Sequence, residues 1–259
     1  MGRLLGLIDG KAMPPGAPNW LSVIVAAALL LLSMPQLRAA EDEPYRVLLP
    51  TRDGPHPAVL LVPGCSGFNA VNGVNLYDER AEALRMLGYL VVFVDYLGRQ
   101  HVTECRYVPR AEVGREILDA ASWTRNRADV DPARVSVIGW SYGGGGVLTA
   151  LAAMPAGTLL FQKAVMYYPD CRSAKPWPDA GTTVLLLMGA ADEVARPAAC
   201  DPVVRAVPAG SLRAILYPNA FHSFDVRSLP ERAQYPFGII GYNPEAAKAS
   251  WETVLEFLN

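Results

Sequence analysis

The amino-acid sequence predicts an α/β fold in which helices cover both faces of a mostly parallel, doubly wound sheet. Three observations carry this expectation. Short apolar runs alternate along the chain with longer segments of helical periodicity. The runs are apolar at successive positions, not at every second one, as strands buried on both faces must be. Hydrophobic residues make up 51% of the 259 residues and charged residues 19%, which supports a sizeable core and excludes general disorder.

Residues 58–62 (AVLLV) form the first expected strand, ended by Pro63 and Gly64. Residues 77–87 (YDERAEALRML) place Ala81, Leu84 and Leu87 on one helical face, and Gly88 stops that helix. Residues 89–94 (YLVVFV) read as the next buried strand. Residues 112–125 carry Val113, Ile117, Ala120 and Ala121 on one stripe and are expected to be helical. Residues 134–138 (RVSVI) are a strand entered from the turn at Asp131 and Pro132, and residues 145–154 a helix. Further strands are expected at 164–167, 183–188 and 212–216. A helix over 196–206 would carry Pro197 in its first turn, and residues 244–258 form a closing helix. No repeat or low-complexity linker interrupts the series, so 40–259 reads as one domain.

The first 39 residues stand apart. A weakly positive stretch with Arg3 and Lys11 precedes residues 20–34 (WLSVIVAAALLLLSM), fifteen residues without a charge. That run is shorter than the ~20 apolar residues that span a bilayer comfortably. Small residues Ala39 and Ala40 follow, then Glu41, Asp42 and Glu43. This is the order of a secretory signal, so residues 1–39 are expected to direct export to the periplasm or medium. Membrane attachment enters only if the segment is not cleaved. The net charge of -2 leaves no basic field, so nucleic acid is not an expected partner. The four cysteines are too few for a disulfide-built scaffold, and they contain no C-x-x-C pair of the kind that holds zinc.

The sharpest chemical signal is Gly139-Trp140-Ser141-Tyr142-Gly143, a G-x-S-x-G that follows a strand and opens a helix. A serine there sits on a strained turn, and the glycines allow strand and helix to approach closely. Residues 139–146 match neither G-x-G-x-x-G nor a phosphate loop ending in Gly-Lys-Ser/Thr. A serine hydroxyl needs a base. Of the three histidines only His222 follows Ser141, in a loop at the carboxyl end of the 212–216 strand. His56 lies at the opposite end of its strand and reads as a turn residue. His101 reads as a solvated loop residue. Candidates for the acid between them are Asp170, Asp179, Asp192, Glu193 and Asp201. Asp192, four residues beyond the 183–188 strand, is the favoured one and Asp170 its rival. Residues 63–67 (PGCSG) would complete an oxyanion hole, with the Cys65 N–H paired to that of Tyr142. Cys65 as the nucleophile is disfavoured, since it lacks the elbow.

Residues 63–67, 73–99, the elbow GWSYGG, residues 188–200 (MGAADEVARPAAC), FHSFD and residues 242–258 together resemble the dienelactone hydrolase family of α/β-hydrolases. The resemblance covers roughly residues 45–258. It implies a sheet of about eight strands and carries a catalytic triad onto Ser141, Asp192 and His222. The family's namesakes use a cysteine nucleophile where this chain has Ser141, which favours a general ester over dienelactone itself. Under that resemblance two cysteine pairings become arguable: Cys171 with Cys200, bracing the acid loop, and Cys65 with Cys105.

The sequence therefore reads as an exported serine hydrolase that cleaves small-molecule carboxylic esters or lactones without a metal or other cofactor. Phe68, Tyr96, Trp140 and Phe221 are candidate pocket residues. Two alternatives remain at this point: a peptidase or amidase on the same triad, and a non-catalytic binding protein that keeps the fold.

Overall fold

The structure is a computed structural model that describes residues 43–155, 157–177 and 181–259. The expected export segment and Asp179 lie outside the described residues. Seven strands build one sheet: β1 (Arg46–Leu48), β2 (His56–Val62), β3 (Leu90–Phe93), β4 (Val130–Trp140), β5 (Lys163–Tyr167), β6 (Thr183–Gly189) and β7 (Leu212–Tyr217). Their order is β1-β3-β2-β4-β5-β6-β7. Only β1 runs antiparallel, against β3. The expected sheet of about eight strands is thus seven among the described residues. The remaining strands, β8 (Ala233–Tyr235) and β9 (Gly238–Ile240), pair with each other away from the sheet.

Side chains of successive strand residues go to opposite faces, so each strand feeds two cores. Leu60, Val92, Val137, Met166 and Leu186 pack on one face with Ile117 and Leu151, all buried. Those last two belong to α3 (Arg110–Arg125) and α4 (Tyr142–Ala153), α1 being Leu76–Met86 and α2 the short Tyr96–Arg99. Leu61, Val91, Ile138, Val165 and Leu185 pack on the other face with Leu84 of α1 and Val254. Val254 lies on α6 (Pro244–Leu258), which follows the short α5 (Asp201–Ala206). Each fully buried aliphatic side chain contributes about 1.5–3 kcal/mol, which favours the apolar runs at the centres of β2, β3 and β6.

Helix starts follow capping chemistry. Asn75 accepts from the N–H groups of Tyr77 and Asp78 at the head of α1, and Asn243 from Ala246 at the head of α6. Two expected helices are corrected. The helix after the elbow begins at Tyr142, not residue 145, because its glycines fit where a side chain would not. A Cβ on Gly143 would lie 2.3 Å from the Pro63 carbonyl oxygen. The helix expected over 196–206 is a 3-10 turn, Pro197–Cys200, followed by α5. Pro202 lacks the N–H that a continuous helix would need there.

β3 and β4 flank β2 on opposite sides, so the chain order reverses beside β2. Loops leaving the carboxyl ends of β2 and β4 part there and open a crevice. The register pairs Val62 with Gly139, which sets the loop after β2 beside Ser141.

Disulfides join Cys65 to Cys105 and Cys171 to Cys200, across 40 and 29 residues. Both pairs suit an oxidising compartment. No helix among the described residues is long and apolar enough to cross a membrane. Closing a loop of this length restrains the unfolded chain by about 3–4 kcal/mol. A Cys171→Ala/Cys200→Ala double variant is expected to lose stability of that order, read as a lowered urea midpoint with an intact helical circular-dichroism spectrum before the transition.

Candidate active site

Ser141 sits between the last residue of β4 and the first of α4 with φ 49° and ψ -113°. A non-glycine residue with positive φ is strained, and here the surroundings enforce it. The Ser141 N–H donates to the Tyr167 carbonyl at 2.9 Å, and its own carbonyl accepts from Gly145 at 2.9 Å. A Cβ on Gly139 would meet Val147 Cγ2 at 2.8 Å, so both flanking glycines are required by close approach. The result aims the serine side chain away from the helix. Ser141 Oγ lies 2.9 Å from His222 Nε2.

His222 reaches that position because two loops are laced together. Ala190 N–H donates to the Tyr217 carbonyl at 2.9 Å and Ala191 N–H to the Ala220 carbonyl at 3.0 Å. A Cβ on Gly189 would lie 2.3 Å from the Ala220 carbonyl oxygen. These contacts bring the loop after β6 under the loop after β7. His222 Nδ1 then lies 2.7 Å from Asp192 Oδ2. The other oxygen, Oδ1, accepts from the N–H groups of Val194 and Ala195, both at 2.8 Å. The Asp192 side chain is wholly buried, and these donors satisfy a carboxylate that water cannot reach.

The loop after β2 is pinned from three sides. Tyr77 Oη accepts the Gly64 N–H at 2.8 Å, Tyr96 Oη donates to the Gly64 carbonyl at 2.9 Å, and the Cys105 N–H donates to the Cys65 carbonyl at 3.3 Å. The Cys65–Cys105 disulfide adds a covalent tie. Tyr142 opens α4, where the first N–H groups have no partner within the helix.

Other candidates fall elsewhere. Asp170, the rival acid, pairs with Arg110 at 3.0 Å and with Arg172 at 2.8 Å. Glu193 and Asp201 are exposed. His56 is buried at the far end of β2, and His101 is exposed. Of the four pocket candidates, Trp140 lines the cavity beside Ser141, which has a volume of about 610 Å³. Phe68 instead lines a hollow with Tyr45 and Phe93, and Phe221 lines one behind Asp192. Tyr96 is buried beneath the loop after β2. Aromatic type alone could not separate cavity from core.

Sequence reasoning missed Tyr168 and Asp225. The Tyr168 ring packs on His222 with centroids 4.6 Å apart. Its hydroxyl donates to Asp225 at 2.5 Å, and Trp140 Nε1 donates to the same carboxylate at 3.0 Å. Burial, followed by the Asp225 charge, pushes the Tyr168 phenol well above its ordinary range and keeps it a donor. The only hint was Asp225 three residues after His222, which spacing alone does not interpret.

The sheet and its flanking helices are those of the α/β-hydrolase fold. The chain belongs to the dienelactone hydrolase family, whose profile matches residues 45–259. The bis(hydroxyethyl) terephthalate hydrolase of Streptomyces coelicolor is 28% identical over 174 residues, 65% of this chain and 51% of that protein. A probable dipeptidyl-aminopeptidase B of Metarhizium robertsii is 37% identical over 104 residues, 37% of this chain. The chain spans 11% of that relative's length and about half of the terephthalate hydrolase. Among solved structures, a dienelactone hydrolase-like promiscuous phosphotriesterase from metagenomic libraries superposes with a TM-score of 0.62. It is 22% identical, with 80% of this chain and 87% of that one covered, so it speaks for the fold.

The Asp170 pairings carry a pH signature. Burial alone would raise its pKa, but the Arg172 hydrogen bonds and the Arg110 charge overcome that and hold it near 2, against an ordinary 3.8. A depressed carboxylate pKa stabilises the fold above the unfolded value and loses that contribution as pH falls through the folded one. The gap in urea midpoint between wild type and Asp170→Asn is therefore expected to be full above about pH 4 and to close towards pH 2.

Proposed function

We propose that this hydrolase cleaves carboxylic esters, including lactones, through a Ser141–His222–Asp192 triad, and that it works outside the cytoplasm. The observation that carries the reading is the unbroken hydrogen-bond line from Ser141 Oγ through the imidazole to the buried Asp192 carboxylate. His222 Nε2 accepts the serine proton as Oγ attacks the carbonyl carbon. Asp192 holds the tautomer with the proton on Nδ1 and stabilises the imidazolium that forms. The tetrahedral oxyanion is held by the N–H groups of Tyr142 and Cys65. The Gly64 N–H is already taken by Tyr77, so Cys65 is the donor assigned from this loop. Each such donor is worth about 10²–10³-fold in turnover. The imidazolium protonates the departing alcohol. A water deprotonated by His222 then releases the acid from Ser141.

The terephthalate hydrolase among the relatives supports ester chemistry. Export rests on the two disulfides and on the signal-like residues 1–39. The peptidase-named relative favours a second reading, amide cleavage by the same residues. Matched p-nitrophenyl ester and anilide substrates separate the two, and a faster anilide would overturn the ester assignment. His222→Ala is expected to lower turnover by ~10³-fold or more, because the line acts as a unit. A fluorophosphonate probe is expected to label wild type and not Ser141→Ala. An unlabelled wild type would instead mean a binding protein on this fold.

A further inference from the structure

The side chains lining the cavity beside Ser141 include two unlike groups. One is charged: Arg106 pairs with Glu104 at 3.0 Å, and Arg110 and Arg172 share Asp170. Three guanidinium groups there face two carboxylates and each is already paired, so an ion entering there would have to compete with existing pairs. The other is apolar: Val71, Val74, Val194, Val226, Phe237 and Ile240. The segments that supply it hold one another. Val71 and Val74 bond across a tight turn, and Asn72 within that turn donates to the Ser228 carbonyl at 3.0 Å.

Phe237 is the unusual member. It lines the cavity yet is 60% exposed, and Tyr235 stacks against it at 5.3 Å with planes 18° apart. Both rings ride on the β8–β9 hairpin, which is locked to the site. Ile240 bridges His222, and the Gly241 N–H donates to the His222 carbonyl at 3.0 Å. The turn packs on the segment after Asp192: Gly238 has φ 138°, and a Cβ there would meet Val194 Cγ2 at 2.8 Å. A stacked aromatic pair is thus presented at the rim of the cavity with no core to fill. Offset-stacked and edge-to-face aromatic pairs are worth more than the area they bury.

We infer that Phe237 is a stacking platform for an aromatic ring of the substrate, so that the esters taken by this site are aryl-bearing ones. The inference rests on the serine-esterase reading above and narrows it. Apolar burial alone would not distinguish a ring from an aliphatic chain; the stacked pair does.

The test uses methyl acetate, methyl benzoate, methyl cyclohexanecarboxylate and benzyl acetate, followed by proton release, with wild type, Phe237→Ala and Phe237→Tyr. The readout is kcat/KM for each ring-bearing ester divided by that for methyl acetate. In Phe237→Ala this ratio is expected to fall roughly tenfold for methyl benzoate or benzyl acetate, mainly through KM, and far less for the cyclohexane ester. The ester that responds tells whether the ring sits on the acid or the alcohol. Phe237→Tyr is expected to keep the ratio. An unchanged ratio for both aromatic esters overturns the inference, as does an equal fall for the cyclohexane ester. A uniform loss on all four would make the hairpin a support for His222 and equally overturn it. In those three outcomes the esterase reading stands. Wild type that hydrolyses none of the four sinks that reading and the inference together.

Discussion

The close approach of α4 to the end of β2 is the constraint from which the site follows. With only a hydrogen at Gly143, the helix starts where a Cβ would lie 2.3 Å from the Pro63 carbonyl oxygen, closer than any Cβ contact permits. That approach fixes three things at once. It forces Ser141 into positive φ, points its hydroxyl out of the helix, and sets the free N–H groups of the helix start beside the loop after β2. Glycine is a poor helix former, so four in succession at 143–146 are costly locally. The cost is offset by the packing they allow against β2 and α3.

The second half of the site is built by loops rather than by regular elements. Backbone hydrogen bonds between the β6 and β7 loops do what side-chain packing does in the core. They leave Asp192 with two N–H donors and one imidazole, and place His222 between carboxylate and hydroxyl. Behind them, Asp225 gathers Trp140 and Tyr168, so the elbow and the imidazole share one buried polar anchor. Such networks are stiff when fully satisfied, which suits groups that must hold a fixed distance.

The alternation of apolar runs and helical stripes made the sheet legible, because burial on both faces leaves an unmistakable run such as AVLLV. Ser141 and His222 were legible for a different reason: a strained turn demands glycines, and one histidine follows it in the chain. Asp192 over Asp170 was a weaker distinction in sequence. The structure separates them by partners, since Arg110 and Arg172 occupy Asp170. The three-residue β1 and the β8–β9 hairpin escaped notice because they are too short to show periodicity. Pocket lining was least legible. Phe68, Tyr96 and Phe221 have the same residue character as Trp140 and Phe237, and only the tertiary arrangement tells a wall from a core.

The most direct measurement is rapid acid quenching of the enzyme during turnover of a slow ester, followed by peptide mass analysis. The acyl mass is expected on the peptide containing Ser141, and on that side chain alone. Steady hydrolysis with the acyl group on a different residue, or undiminished turnover by a chain lacking the Ser141 hydroxyl, would contradict it.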